Sequence, residues 1–230
     1  GGAPGVLWVY DIAGRTSLRL GGGLPNLAQA PVWSSDGREI AFAAWQENRM
    51  NLFVRTADAT RPAEPLTNRP GFRIPHFWTP DGKAIAFTNL GPNGIDLDLM
   101  LLSRADGVEQ PLLRTPATET NATLSPNGRF MAYQSDESGR FEVHVRPFPD
   151  VEKGHWVISA AGGEDPRWAP SGRALYYRSG RHIMLAPVET DPQFRAGQAR
   201  VYLENRLTLR DDPRTGPLAR DRTYDVAANG

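Results

Sequence analysis

The chain has 230 residues, with 26 basic and 26 acidic side chains and no cysteine. A net charge of zero argues against binding to nucleic acid or to a membrane surface through a bulk basic field. The lack of cysteine excludes disulfide bonds, thiolate metal sites and a cysteine nucleophile. No apolar run in the sequence is long enough to cross a bilayer. We therefore expect no nucleic-acid partner and no membrane insertion of this segment.

In chain order, the first predicted elements are two short strands at 6–11 and 17–20. A turn motif then recurs four times, as WSSDG at 33–37, WTPDG at 78–82, LSPNG at 124–128 and WAPSG at 168–172. Pro, Asp and Gly in this order suit a type I turn followed by a left-handed glycine. Each motif therefore predicts a hairpin between one strand, called a here, and the next, called b.

The repeat has a period near 45 residues, since its four glycines lie 45, 46 and 44 residues apart. Alternating runs after the glycines predict strands b at 38–42, 83–87, 129–133 and 173–177. Strands c are predicted at 51–55, 98–102, 142–146 and 182–186, and strands d at 63–67, 109–114, 155–159 and 199–204. No segment has the apolar spacing of a long helix. This pattern predicts an all-β fold, a β-propeller of four-stranded antiparallel blades.

The repeats divide the chain at approximately 1–29, 30–74, 75–120, 121–164, 165–222 and 223–230, the first and last being partial. The opening strands match strands c and d, residues 206–222 are a predicted polar loop, and 224–226 matches a strand a. We expect a single β-propeller domain or fragment, with four whole blades, in a larger ring that residues outside this chain complete. Open blade edges favour pairing with other chains, so self-association through them is expected.

The repeats resemble the TolB-type, WD-repeat-like β-propeller family, whose motif is W-S-P-D-G followed by K/R-x-I-A-F and then D-I-Y-V. The resemblance covers nearly the whole chain, with four copies in register. Two stretches, VRPFP at 145–149 and GGEDPRW at 162–168, are more particular. They are similar to the propeller regions attached to bacterial serine/threonine protein kinases. The resemblance implies a periplasmic or otherwise extracytoplasmic location.

Catalytic motifs are missing from the sequence. It contains no G-x-S-x-G, no H-E-x-x-H, no P-loop, and neither the H-R-D nor the D-F-G motif of kinases. We expect no enzymatic activity, no catalytic residue and no cofactor.

Metal binding is not predicted either. The histidines are too far apart in the sequence to suggest a metal site, and they are predicted on strands a, c, d and c of different blades: His76, His144, His155 and His182. A zinc site needs several ligands that converge. The pair Asp96 and Asp98 shares one face of a strand and offers oxygen ligands for calcium, but this spacing is more typical of a solvated strand edge.

The predicted binding site lies at the beginning of the strands a, which line the channel of a propeller. Polar residues there differ from blade to blade while the turns repeat, and variable residues on a fixed scaffold favour binding. The alternatives are solvated turn residues and, for the histidine, a packing role. The predicted ligand-binding or partner-binding residues at the channel mouth are Arg73, His76, Glu119, Asn121, Glu164, Asp165 and Arg167.

Tryptophans divide into two groups. Trp33, Trp78 and Trp168 hold equivalent positions before the turns and are predicted to pack between blades. Trp45 lies beside polar residues in a b–c loop and is predicted to be an exposed contact residue.

The sequence favours a non-enzymatic binding or scaffold propeller with a protein or peptide partner or a small ligand. By resemblance it is the sensor or protein-interaction module of a larger bacterial protein, such as a receptor-type serine/threonine kinase. The alternatives are the substrate-gating propeller of a prolyl-oligopeptidase-type serine peptidase and a free-standing propeller hydrolase.

Overall fold

The structure is a computed structural model that describes residues 7–20, 26–90, 94 and 96–204. It contains antiparallel β-sheets and one short 3-10 helix at Val151–Lys153. No helix in the described ranges is long and apolar enough to cross a membrane. The chain forms two compact units, Gly1–Pro111 and Leu112–Gly230.

The first unit opens with a two-stranded sheet and continues with four-stranded sheets in chain order. Its strands are β1 (Leu7–Asp11), β2 (Thr16–Leu20), β3 (Asn26–Trp33), β4 (Glu39–Gln46), β5 (Arg49–Thr56), β6 (Glu64–Pro65), β7 (Arg73–Trp78), β8 (Ala84–Leu90), β9 (Leu97–Ser103) and β10 (Glu109–Leu113). The unit boundary falls inside β10.

The second unit repeats the arrangement and adds a strand. Its strands are β11 (Glu119–Leu124), β12 (Phe130–Ser135), β13 (Glu142–Pro147), β14 (Trp156–Val157), β15 (Glu164–Trp168), β16 (Ala174–Ser179), β17 (His182–Glu189), β18 (Arg195–Ala196) and β19 (Arg200–Glu204). Both β18 and β19 pair with β17, so the last sheet has five strands. Four-stranded antiparallel sheets confirm the predicted fold class. The short strand β18 was not predicted, and 206–222 and 224–226 lie outside the described residues.

The four repeated turns have the predicted conformation. Their glycines, Gly37, Gly82, Gly128 and Gly172, all have φ between +68° and +72°. In the second turn Asp81 Oδ1 accepts hydrogen bonds from the Thr79 hydroxyl at 2.6 Å and from the Lys83 N–H at 3.1 Å. Asp36 and Asn127 make the same two contacts in their own turns. The motif therefore closes each hairpin through its side chains as well as its backbone.

Consecutive sheets pack face to face around apolar cores. In the first unit, Val32, Ala41, Val54, Trp78 and Ile85 form one such core. In the second unit, the core includes Phe130, Val143, Val145, Trp168 and Phe194. Burial of these faces is the main source of cohesion between sheets.

Two of the three equivalent tryptophans are anchored as predicted. The indole N–H of Trp78 donates to the Val32 carbonyl at 3.1 Å, and that of Trp168 donates to the Thr123 carbonyl at 3.3 Å. The prediction for Trp33 was wrong, because this side chain is 49% exposed. Its anchor would be a strand a in the preceding sheet, whose described part consists of β1 and β2 alone.

Candidate functional site

All seven predicted channel-mouth residues lie on strands a, and all except Arg73 are at or beside a break in strand pairing. Arg73 and His76 belong to β7 in the first unit. The other five belong to the second unit, with Glu119 and Asn121 on β11 and Glu164, Asp165 and Arg167 on β15.

The break is a β-bulge that recurs in all four strands a that the structure describes. On β11 the register shifts between Thr120 and Thr123, and on β15 between Glu164 and Arg167. The residue inside each bulge has a left-handed backbone, with φ of 51° at Asn121 and 55° at Asp165. A bulge adds one unpaired residue and re-aims its side chain. Asn and Asp tolerate a left-handed backbone best after glycine. They therefore occupy the bulge positions, where the regular strand pairing is interrupted.

The strands a of the first unit also contain a bulge, but with different residues in it. Ala30 occupies the bulge of β3 with φ of 50°. Pro75 stands at the corresponding position of β7, where its ring forbids a positive φ. There the register shift lies between Pro75 and Phe77 instead. The bulge is thus a shared feature of the sheets, while the side chain that it presents changes each time.

Gln134 ties the two bulges of the second unit together. Its side chain is buried, and its Oε1 accepts from Asn121 Nδ2 at 3.0 Å and from the backbone N–H of Asp165 at 2.9 Å. Both donors come from residues with left-handed backbones. A side chain of β12 therefore fixes the strands a of two consecutive sheets relative to each other.

A buried ion pair lies beside this link. Arg167 Nη2 is 2.5 Å from Asp165 Oδ1, and Arg167 Nη1 donates to the Pro166 carbonyl at 2.6 Å. Both side chains are less than one-tenth exposed. Removing one member of such a pair leaves a buried charge without its partner, which is strongly destabilising. These two residues hold the bulge rather than reach into solvent.

Glu164 is more accessible. Its carboxylate forms a salt bridge with Arg178, its cross-strand neighbour on β16. The side chain of Glu164 is 26% exposed and that of Arg178 is 14% exposed. Glu164 and the partly exposed Asn121 are therefore the predicted site residues of the second unit that reach solvent, whereas Arg178 was not predicted. The buried Glu119, by contrast, accepts a hydrogen bond from the Thr115 hydroxyl.

Both predicted residues of the first unit point into the protein. The guanidinium of Arg73 is buried and makes two 3.1 Å hydrogen bonds to the carboxylate of Glu109. His76 is buried, and its Nε2 lies 2.5 Å from the hydroxyl of Thr88. These contacts give both side chains a structural role, the alternative that the sequence left open for His76.

Trp45 lies at the same end of its sheet as the beginning of strand a. It pairs with Asn26, the first residue of β3, and it is 37% exposed. Glu47 and Asn48, the two residues of the turn between β4 and β5, both have positive φ, which is typical of a type I′ hairpin turn. An exposed tryptophan beside a tight, ordered turn offers a large rigid contact area. This placement agrees with the predicted contact role.

Comparison with known proteins identifies the repeat. The family model of the TolB beta propeller domain matches residues 6–201. This chain belongs to the TolB β-propeller family.

One relative of this TolB-family chain is a bacterial Tol-Pal protein. The chain is 31% identical over 103 residues to the Tol-Pal system protein TolB of Gluconobacter oxydans (strain 621H), covering 40% of this chain and 21% of the relative. The chain thus matches about a fifth of that protein's length.

Two solved structures share the fold. A putative TolB from Agrobacterium tumefaciens is 18% identical with a TM-score of 0.67, over 87% of this chain and 76% of that one. TolB from Acinetobacter baumannii is 23% identical with a TM-score of 0.65, over 85% of this chain and 50% of that one.

The TolB-family framework also presents surfaces that the sequence analysis missed. On β1, Trp8 and Tyr10 stack with ring centroids 6.4 Å apart, and they are 49% and 69% exposed. On β19, Val201, Tyr202 and Leu203 are all more than half exposed. Alternate residues of a strand share a face, so the spacing of Trp8 and Tyr10 could have predicted that the two rings lie side by side. The sequence could not have predicted that they are exposed, because exposure depends on which sheet lies next to them.

Two open grooves lie at the other end of the TolB-family sheets, beside the a–b turns. One, of about 810 Å³, is lined in the second unit by Ser171, Arg173, Glu189 and Asp191. The other, of about 570 Å³, is lined in the first unit by residues that include Asp36, Arg38 and Asp58. They border repeated turns, whereas the variable bulge residues lie at the opposite ends of the strands.

A group of metal-ligating side chains lies apart from the strands a. Glu137, His144 and His155 bring one ligand atom each to within 4.8 Å of the others. Desolvation lowers the pKa of His144 to about 4 and also lowers that of His155. Burial therefore favours the neutral imidazole in both rings, which is the form that can ligate a metal ion.

Proposed function

We propose that this TolB-family propeller is a non-enzymatic module that binds a protein or peptide partner. In each unit the surface involved is the end of the sheets where strands a begin. Trp45 is the accessible contact residue of the first unit, and Glu164 and Arg178 are those of the second. The observation that carries the proposal is the recurring bulge, which fixes the backbone near the beginning of each described strand a, while the accessible side chains at that end differ from sheet to sheet. Binding residues are commonly placed on such variable positions of a fixed scaffold.

Buried members of the predicted site have a different role in this proposal. Asp165 and Arg167, together with Gln134, which was not predicted, hold the bulges by hydrogen bonds and an ion pair in the interior. They fix the backbone from which the exposed side chains project. Rigid presentation reduces the entropy lost on binding, which suits recognition of a flexible peptide.

The parent protein that we propose is bacterial and extracytoplasmic. One relative is the Tol-Pal system protein TolB, and a protein-binding role in the cell envelope is the corresponding proposal for this chain. The motifs at 145–149 and 162–168 favour a receptor-type serine/threonine kinase as the larger protein. Reading the adjoining coding sequence tests this parentage, since H-R-D and D-F-G motifs upstream support a kinase and a G-x-S-x-G region downstream contradicts it.

Self-association is a further part of the proposal. The exposed aromatic pair of β1 and the exposed apolar run of β19 are surfaces that water solvates poorly. Light-scattering mass measured over a range of concentrations tests it. We expect the mass to rise with concentration and to fall when Trp8 and Tyr10 are both replaced by Ser. A monomer at all concentrations contradicts it.

Photo-cross-linking tests the binding surface. A benzoylphenylalanine in place of Trp45 is expected to capture a defined protein from a bacterial envelope extract. The matched control carries the same residue in place of Lys83, which is 84% exposed but lies in an a–b turn. Capture at position 45 alone supports the proposed surface, whereas equal capture at both positions or at neither contradicts it.

Turnover assays test the non-enzymatic part. The isolated chain is expected to show no peptidase, esterase or kinase activity above a heat-denatured control. Activity that disappears when one residue of this chain is replaced would overturn the assignment.

A further inference from the structure

A cluster of three ligating side chains lies on one face of the sheet that contains β12, β13 and β14. His144 is on β13, His155 immediately precedes β14, and Glu137 is in the β12–β13 connection. His144 Nδ1 lies 2.8 Å from His155 Nε2, and Glu137 Oε1 lies 3.5 Å and 3.7 Å from these two atoms. Strand pairing creates this convergence, because His144 pairs with Val157, two residues beyond His155. The sequence analysis expected no convergence of histidines because they are far apart in the sequence. The fold brings His144 and His155 together, so that expectation was wrong for this pair.

The spacing of the ligand atoms suits a small divalent ion. Around zinc with bonds of about 2.0–2.1 Å, tetrahedral ligand atoms lie about 3.3–3.4 Å apart. The two distances from the carboxylate are within a few tenths of an ångström of that spacing. The shorter contact between the rings is a hydrogen bond, which an ion inserted between them would replace.

The rings are held in orientation before any ligand arrives. His144 stacks between Tyr133, at a centroid distance of 5.4 Å, and His155, at 5.0 Å. Tyr133 is itself fixed, since Arg146 Nε donates to its hydroxyl at 2.9 Å. A preoriented ligand set loses little conformational entropy when it binds an ion.

The local charge also favours a cation. The carboxylates Glu137, Glu142 and Glu152 interact electrostatically with one or both rings, against the single positive charge of Arg146. That guanidinium is engaged elsewhere, by the Tyr133 hydroxyl and by the Val151 carbonyl.

We propose that Glu137, His144 and His155 form a binding site for Zn²⁺ or a similar late first-row divalent ion. Two imidazoles and one carboxylate are a donor set that suits zinc better than calcium or magnesium, which prefer oxygen ligands. His144 is buried, while the side chains of His155 and Glu137 are 31% and 38% exposed. A bound ion would therefore have its fourth position open to water.

The site would act as a staple within one sheet. It would join the β12–β13 connection, strand β13 and the segment before β14 through a single ion. Metal-bound histidines usually donate their other N–H to an acceptor. Among the described residues, Nε2 of His144 is buried without a hydrogen-bond partner. We therefore expect micromolar rather than nanomolar affinity.

Calorimetric titration of the chelator-treated chain with zinc chloride tests the proposal. We expect one ion per chain, at least about tenfold weaker binding for His155→Ala and for Glu137→Gln, and unchanged binding for His182→Ala. His182 is the matched control because it is an exposed histidine on a different sheet. His155 is the ligand to remove first, because its partial exposure makes a folding defect less of a concern than at buried His144.

A second measurement separates a lost ligand from a lost fold. Circular dichroism of each metal-free variant should match that of the wild type, and zinc should raise the melting temperature of the wild type and of His182→Ala but not of His155→Ala. Zinc binding that is absent from the wild type up to millimolar concentration, or equal in the wild type and His155→Ala, would overturn the proposal.

Discussion

The backbone N–H of Asp165 donates a 2.9 Å hydrogen bond to the side-chain Oε1 of Gln134, 31 residues earlier in the chain. The same oxygen accepts from Asn121 Nδ2. One buried amide thus connects two bulged strands that present the candidate binding residues of the second unit.

Replacing Gln134 by Leu should destabilise the protein by about 1–3 kcal/mol, because it leaves the buried N–H of Asp165 without an acceptor. Gln134→Glu keeps an acceptor oxygen and should cost less at neutral pH. Urea denaturation followed by tryptophan fluorescence measures both. If the leucine variant were as stable as the wild type, the amide would not be the link between the strands.

The repeated turn gives a second prediction. Gly82 has φ of +68°, and a Cβ added there would meet no atom within 4 Å. Any cost of substitution is therefore backbone strain, so Gly82→Ala should lose about 1 kcal/mol and the β-branched Gly82→Val more. Lys83→Ala, one residue away and highly exposed, is the control and should change stability by less than about 0.5 kcal/mol. A melting temperature of Gly82→Val within a degree of the wild type would contradict the turn assignment.

The tryptophan anchors give a matched comparison. Trp78→Phe removes the hydrogen bond to the Val32 carbonyl and should cost about 1 kcal/mol beyond the loss of ring area. Trp33→Phe at the equivalent, half-exposed position should cost clearly less. Denaturant midpoints of the two variants give the comparison. Equal losses would mean that the indole hydrogen bond adds nothing to the packing.

Asp58 provides a pH prediction. The backbone N–H and the hydroxyl of Thr60 donate to its carboxylate, and they lower its pKa from 3.8 to about 2. A lowered pKa means that the stabilisation is present above pH 3.8 and is lost as the pH falls towards 2. Carboxyl carbon shifts in a ¹³C NMR titration should therefore show a midpoint near 2. Thr60→Val removes the hydroxyl and should move that midpoint upward; an unchanged midpoint would exclude this contribution.

The sequence predicted the hairpins well because their determinants are local. Pro, Asp and Gly set a turn within five residues, and alternation over the next five sets a strand. The positions of the candidate residues on strands a followed from the same register. Even the bulges follow a recurring offset, three residues before the tryptophan position, although sequence patterns alone gave no signal for a left-handed Asn121 or Asp165.

The remaining features depend on contacts between distant segments. The burial of Arg73 depends on Glu109, 36 residues later. Asp98, predicted at a solvated edge, is 2% exposed in β9, so the solvated position was wrong for this residue. His144 and His155 converge through strand pairing. Trp33 is exposed because of what its neighbouring sheet contains. A sequence pattern predicts a strand, but it does not predict which groups of the neighbouring strands and sheets pack against that strand.

The central claim is that this chain acts by binding a protein through the ends of the sheets where strands a begin. The most direct measurement is the affinity, by fluorescence anisotropy, of the purified partner identified by cross-linking at position 45. The account predicts that Trp45→Ala weakens that affinity at least about tenfold without lowering the melting temperature, and that Lys83→Ala leaves it unchanged. Affinity that is the same for both variants and the wild type would contradict it.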